Sequence, residues 1–145
     1  MNNNVIISII VRQAYEGAED DEIELVTEGV LKKQHGGYCL SYTESELTGL
    51  NGTKTVFDIV GDTITMTRTG DIRSQMVFQK GRKHYSVYDT PYGALTIGIQ
   101  ADRVKADICD DCGVIDISYT IEVDHAMTGE SSLSIKVRKN DVNIN

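Results

Sequence analysis

The chain has 145 residues, enough for one domain with a core of its own, and 40% of them are hydrophobic, which excludes a disordered chain. A net charge of -8 argues against general binding to nucleic acid or to anionic membranes, both of which need a basic surface. Arg82-Lys83-His84 is the densest basic cluster, and it is too short to change that reading.

Val5 to Tyr15 alternates, with Val5, Ile7, Ile9 and Val11 as its inward row. Ser8 interrupts the run, which is far too short to span a membrane and lacks the basic lead and cleavage site of a signal peptide. It reads as the first strand of a cytoplasmic protein. Glu16 to Asp21 is an acidic loop. Glu22 to Gln34 puts Ile23, Leu25, Thr27, Gly29 and Leu31 on one face, and Gly29 predicts a bulge or a sharp bend there.

After the His35-Gly36-Gly37 turn come three strands between Tyr38 and Arg68. Tyr38, Leu40, Tyr42 and Glu44 share one face, as do Thr53, Thr55, Phe57 and Ile59, and then Ile64, Met66 and Arg68. Glu44 and Arg68 thus fall on core-facing rows of nearby strands, where a charge is costly unless paired, so they are expected to pair with each other. Leu47 and Leu50 lie in the glycine-rich turn before Thr53 and are expected to plug one end of the fold.

Further on, Ile72, Ser74, Met76 and Phe78 share a face. The next strand offers Tyr85, Val87 and Asp89 against His84, Ser86 and Tyr88, with the first set read as inward. Leu95, Ile97, Ile99 and Ala101 form another row, which continues less regularly to Ile108. Ile115, Ile117, Tyr119, Ile121 and Val123 give the cleanest alternation in the chain. His125 to Ser131 reads as a loop, Leu133, Ile135 and Val137 close the pattern, and Asn140 to Asn145 reads as a tail.

The cysteines are Cys39, Cys109 and Cys112, and an odd count without a secretion signal argues against a disulfide framework. Cys109-Asp110-Asp111-Cys112 has the C-x-x-C form, but zinc needs about four ligands and no second pair exists. A redox C-x-x-C opens a helix, whereas here a strand follows. The motif is read as a turn, and neither a metal nor a cofactor is expected.

No segment carries a helical period, and about ten short strands separated by turns read as all-β. Connections of hairpin length make sequential strands antiparallel neighbours. Such a meander closes into an up-and-down β-barrel of about eight to ten strands, one domain over the whole chain.

Tyr42-Thr43-Glu44, then Thr48-Gly49-Leu50-Asn51-Gly52-Thr53, then Arg68-Thr69-Gly70 and Tyr88-Asp89-Thr90-Pro91-Tyr92-Gly93 occur in this order. That series resembles the YwiB-like family, a group of bacterial proteins of no established function. The resemblance covers nearly the whole chain and implies a calycin-like, lipocalin-like barrel. Its motifs belong to strands and turns, and they imply no chemistry.

A fold does not settle function, so the reading must come from sites. No nucleophile–base–acid set, metal-binding helix or phosphate loop occurs at useful spacing, so no catalytic residue is expected. A barrel of about eight strands can just hold one small molecule. The expected lining is Leu40, Tyr42, Met66, Met76, Phe78, Tyr85, Leu95, Ile97, Tyr119 and Ile121, with Glu44 and Arg68 as the charged pair. The candidate ligand-binding residues are therefore Tyr42, Glu44, Arg68, Phe78, Tyr85 and Tyr119. The ligand class is a small, partly apolar molecule, with an acidic group that Arg68 could meet. The alternative is a solid core without a ligand, in a protein-interaction domain or homodimer.

Overall fold

Period-two alternation along nearly every segment leaves the chain one way to bury its apolar rows, as strands sharing one interior. The computed structural model describes residues 2–15, 20–34, 36–44 and 52–140. Ten strands make up these residues: β1 (Asn2–Tyr15), β2 (Asp21–Gln34), β3 (Gly37–Thr43), β4 (Lys54–Val60), β5 (Thr63–Thr69), β6 (Ser74–Gln79), β7 (Lys83–Thr90), β8 (Gly93–Ile108), β9 (Gly113–Val123) and β10 (Ala126–Lys139). No helix among them is long and apolar enough to cross a membrane.

The strands form one antiparallel sheet in the order β6-β5-β4-β3-β2-β1-β10-β9-β8-β7. β1 and β10 pair continuously from Val5↔Lys139 to Tyr15↔Gly129, so the first and last strands zip the meander into a barrel. The seam falls in mid-chain, between β6 and β7. At one end of it Arg73 and Asp89 exchange backbone hydrogen bonds of 2.9 and 2.8 Å. At the other, Gly81 N donates to Ala101 O and Arg82 N to Gln79 O, each at 3.1 Å.

The interior has two unlike halves. Val5, Ile7, Leu31, Leu40, Ile64, Ile115, Ile117 and Ile135 are buried at one end, beside the β2–β3, β4–β5 and β8–β9 turns. Each such side chain contributes roughly 1.5–3 kcal/mol on burial. This end is closed from outside by the β8–β9 turn. Asn3 Nδ2 donates to Asp110 O at 2.6 Å, and Tyr38 Oη donates to Asp110 Oδ1 at 3.2 Å. Within that turn Cys109 and Cys112 are joined by a disulfide, and Cys39 is a free thiol. The cysteine pair is thus more than an incidental turn, although it bridges only three residues of separation.

Several expectations need correction. Gly29 is no bulge, because the β1–β2 register runs through Val5↔Gly29 unbroken. It is a close approach: a Cβ there would lie 2.3 Å from Ile7 Cδ1 and 2.6 Å from Ser41 O, where β2 parts from β3. A bulge does occur elsewhere in the sheet, in β8, between Ala101↔Tyr119 and Arg103↔Ser118. The extra residue, Asp102, moves the inward parity from Ile97, Ile99 and Ala101 to Val104 and Ile108, which explains the irregular alternation. Residues 126–131 are not loop but the start of β10. Leu47 and Leu50, residues 16–19, His35 and residues 141–145 lie outside the described residues.

The β7 assignment is inverted. Tyr85 and Val87 are 55% and 58% exposed, while His84, Ser86 and Tyr88 are half-buried. Register forces this. The Thr90↔Gly93 pair closes a two-residue turn, which sets Tyr88 opposite Leu95, Ser86 opposite Ile97 and His84 opposite Ile99. Cross-strand partners share a face, so the buried Ile97 and Ile99 draw Ser86 and His84 inward and turn Tyr85 out. His84, expected at a solvent position, instead meets Gln79 Oε1 at 3.3 Å through its Nε2.

Candidate ligand-binding site

The other half of the barrel is hollow. A cavity of about 410 Å³ occupies the end where β3 finishes, β4 begins and the β5–β6, β7–β8 and β9–β10 turns lie. Its wall is mostly apolar, built from the inward rows of β1, β2, β4–β6, β8, β9 and β10, with Ile9, Leu25, Met66, Met76, Ile97 and Leu133 among its residues.

One polar layer crosses this end. Tyr42 on β3 stands opposite Thr55 on β4, Thr55 opposite Arg68 on β5, and Arg68 opposite Ser74 on β6. The next layer inward, Leu40, Phe57, Met66 and Met76, is wholly apolar. Glu44 follows β3 and is held back into the barrel by its own backbone, since Glu44 N donates to Thr53 O at 2.8 Å. Its side chain is 1% exposed, and Thr55 Oγ1 donates to its Oε2. Arg68 Nε lies 3.9 Å from the same oxygen, an ion-pair distance beyond hydrogen-bond reach. The Arg68 side chain is 20% exposed, so the pair spans the boundary between cavity and solvent.

Burial pushes the Tyr42 phenol well above its ordinary pKa, and the adjacent Glu44 carboxylate pushes it further; Arg68 opposes them. Among the described residues, three buried polar atoms in this neighbourhood make no hydrogen bond: Arg68 Nε, Ser74 Oγ and Thr53 Oγ1. Buried donors without partners are uncommon in folded chains, and here they lie around one charged pair at one end of an apolar space.

The turns explain how these residues come together. Gly70 has φ of 131°, and a Cβ on it would lie 2.5 Å from Gly52 O and 3.0 Å from Thr53 Cα. Only glycine lets the β5–β6 turn rest on the backbone that leads into β4. Glu44, Thr53, Arg68 and Gly70, distant in sequence, are thereby packed together, and Tyr88 joins them at the cavity wall.

Of the residues read as ligand-binding, Tyr42, Glu44, Arg68, Phe78 and Tyr119 line the cavity. Tyr85 does not. It lies on the outer face over Gly98, where a Cβ would come within 3.0 Å of its ring, with Lys83 Nζ 5.2 Å from the ring centroid. Of the wider lining, Met66, Met76, Leu95, Ile97 and Ile121 belong to the cavity, whereas Leu40 is sealed in the solid half. Sequence reasoning missed Tyr88, Gln13 and Ser131. For Tyr88 the signal was present, because counting back from the two-residue turn at Pro91-Tyr92 places it opposite Leu95. For Ser131 the apparent loop concealed the strand.

Cys109, Asp111 and Cys112 bring ligand-type atoms within 4.8 Å of one another, but in the β8–β9 turn at the far end of the barrel. While the disulfide stands, neither sulfur offers the thiolate that a soft metal ion requires.

The ywiB protein from Bacillus subtilis has the same fold: its crystal structure superposes with a TM-score of 0.86 at 18% identity, over 96% of this chain and 93% of that one. The profile of a domain of unknown function (DUF1934) matches residues 7–135. No curated protein matches the chain.

Proposed function

Since the chain belongs to the DUF1934 family, described only as a domain of unknown function, we propose from the site itself that the barrel is a non-enzymatic receptor for one small, partly apolar molecule held in its interior. The observation that carries this reading is the cavity of about 410 Å³, apolar along most of its wall, with Tyr42, Glu44 and Arg68 among its few polar lining groups. That volume lies within the range of about 300–1,000 Å³ usual for small-molecule sites, as does the pattern of apolar walls with a few convergent polar groups. Binding is favoured over catalysis because the described lining residues include no histidine, cysteine or lysine, and the one carboxylate among them, Glu44, is engaged by Thr55 and faces Arg68.

Native mass spectrometry of freshly purified protein tests the reading. A bound mass is expected, released on denaturation and absent when Ile97→Trp fills the cavity. Protein that carries no mass, and takes up no small apolar probe, counts against it.

A second reading, protein interaction or homodimerisation, is favoured by the exposed Tyr85 and Val87 on the outer face of β7. Light scattering on the wild type and on Val87→Glu distinguishes it, since a functional homodimer would dissociate.

A further inference from the structure

We infer that the polar end of the interior ligand is an uncharged group that both donates and accepts hydrogen bonds, such as a primary amide, an alcohol or a protonated acid, and not a carboxylate or an ammonium. This inference rests on the receptor reading above and narrows it.

The argument is one of charge and of unmet hydrogen bonds. Glu44 and Arg68 lie 3.9 Å apart at the polar end of the cavity, so their charges already cancel. A carboxylate brought to Arg68 would leave the site with a net negative charge beside the buried Glu44, and an ammonium would leave a net positive charge beside Arg68. Both are costly beside the Glu44 carboxylate, whose side chain is 1% exposed. The unmet group says what the pair does want. Arg68 lines the cavity, and its buried Nε makes no hydrogen bond among the described residues. A ligand oxygen placed there would accept from it. A carboxylate accepts several hydrogen bonds at once, so a donor on the same head group can join those that Thr55 and Tyr42 make to Glu44. The hydrocarbon part then runs toward Met66, Phe57 and Ile97.

The test compares octanamide, octanoate and octylamine, which share a chain and differ in head charge, by calorimetric titration of the whole protein near neutral pH. Octanamide is expected to bind at least about tenfold more tightly than either ion, a difference of about 1.4 kcal/mol. Octanoate, where it binds, is expected to take up one proton per molecule, read from the heat in two buffers of different ionisation enthalpy. Glu44→Gln removes the negative charge and is expected to reverse the order, with octanoate gaining on octanamide. The proton count needs no variant and stands even where Glu44→Gln fails to fold. Octanoate binding most tightly without proton uptake overturns the inference and leaves the receptor reading intact. Failure of all three molecules to bind removes the receptor reading, and the inference with it.

Discussion

Glu44 Oε2 lies 3.9 Å from Arg68 Nε, close enough for attraction and too far for a hydrogen bond, while Thr55 Oγ1 donates directly to the same oxygen. The pair is therefore held by electrostatics across the polar layer, with Thr55 anchoring the carboxylate. Glu44 is almost wholly buried and Arg68 is partly wet, so the two are unequal partners.

Removing Arg68 should be the more harmful of the two single changes. Arg68→Ala leaves a buried carboxylate without its counter-charge and is expected to cost about 3 kcal/mol. The double variant Glu44→Leu with Arg68→Met should cost less than Arg68→Ala alone. Urea unfolding midpoints decide this, and wild-type midpoints for both single variants would show the pair to be energetically idle.

The raised Tyr42 phenol ties stability to alkaline pH. Its folded-state pKa lies above the unfolded value of about 10, so the unfolded chain releases the proton first as pH rises. The contribution is complete below about pH 10 and is lost as pH climbs from there through the folded-state pKa. Melting temperatures measured between neutrality and pH 11 should fall at the alkaline end, and less steeply in Tyr42→Phe. Equal slopes for the two proteins would contradict this.

Tyr85 and Tyr88 should part company. Tyr85→Ala removes an exposed ring, and is expected to cost about 0.5 kcal/mol and to leave ligand retention unchanged. Tyr88→Ala removes a ring that lines the cavity and should weaken retention about tenfold or more. Retention of the co-purified or added ligand by native mass spectrometry is the measurement.

Gly70 should tolerate no side chain. Gly70→Ala combines a positive φ with a contact of 2.5 Å to Gly52 O, so a loss of about 1–3 kcal/mol is expected. Because Gly70 follows Arg68 by two residues and rests on the backbone leading into β4, ligand affinity should fall together with the melting temperature.

The Cys109–Cys112 bond should be dispensable for folding. It closes a loop of about four residues, for which the chain-entropy relation gives about 2 kcal/mol at most. The turn keeps its Cys109 N to Cys112 O hydrogen bond of 2.8 Å in any case. Thiol labelling of unfolded, unreduced protein should report Cys39 alone, and full reduction should lower the melting temperature by only a few degrees. Labelling of all three cysteines before reduction would refute the bond, and metal analysis of that protein would then be the next measurement.

By itself, alternation in the sequence determined the all-β class, the antiparallel order and most of the inward rows, because side-chain direction in a strand depends only on parity. That is why alternation alone sets Tyr42, Glu44, Arg68, Phe78 and Tyr119 on inward rows, and all five line the cavity. Parity does not say where it changes. The extra residue Asp102 in β8 switches the inward set, and only the ladder with β9 reveals it. Nor does parity say which of two comparable faces wins. Tyr85 with Val87 and Ser86 with Tyr88 are nearly balanced rows, and the choice was made by their pairing with Ile97 and Ile99. The tertiary structure alone decided that the barrel is solid at the Ile7, Leu31, Leu40 end and hollow at the other. Packing density depends on how rows from all the strands meet across the interior, and no single strand carries that information.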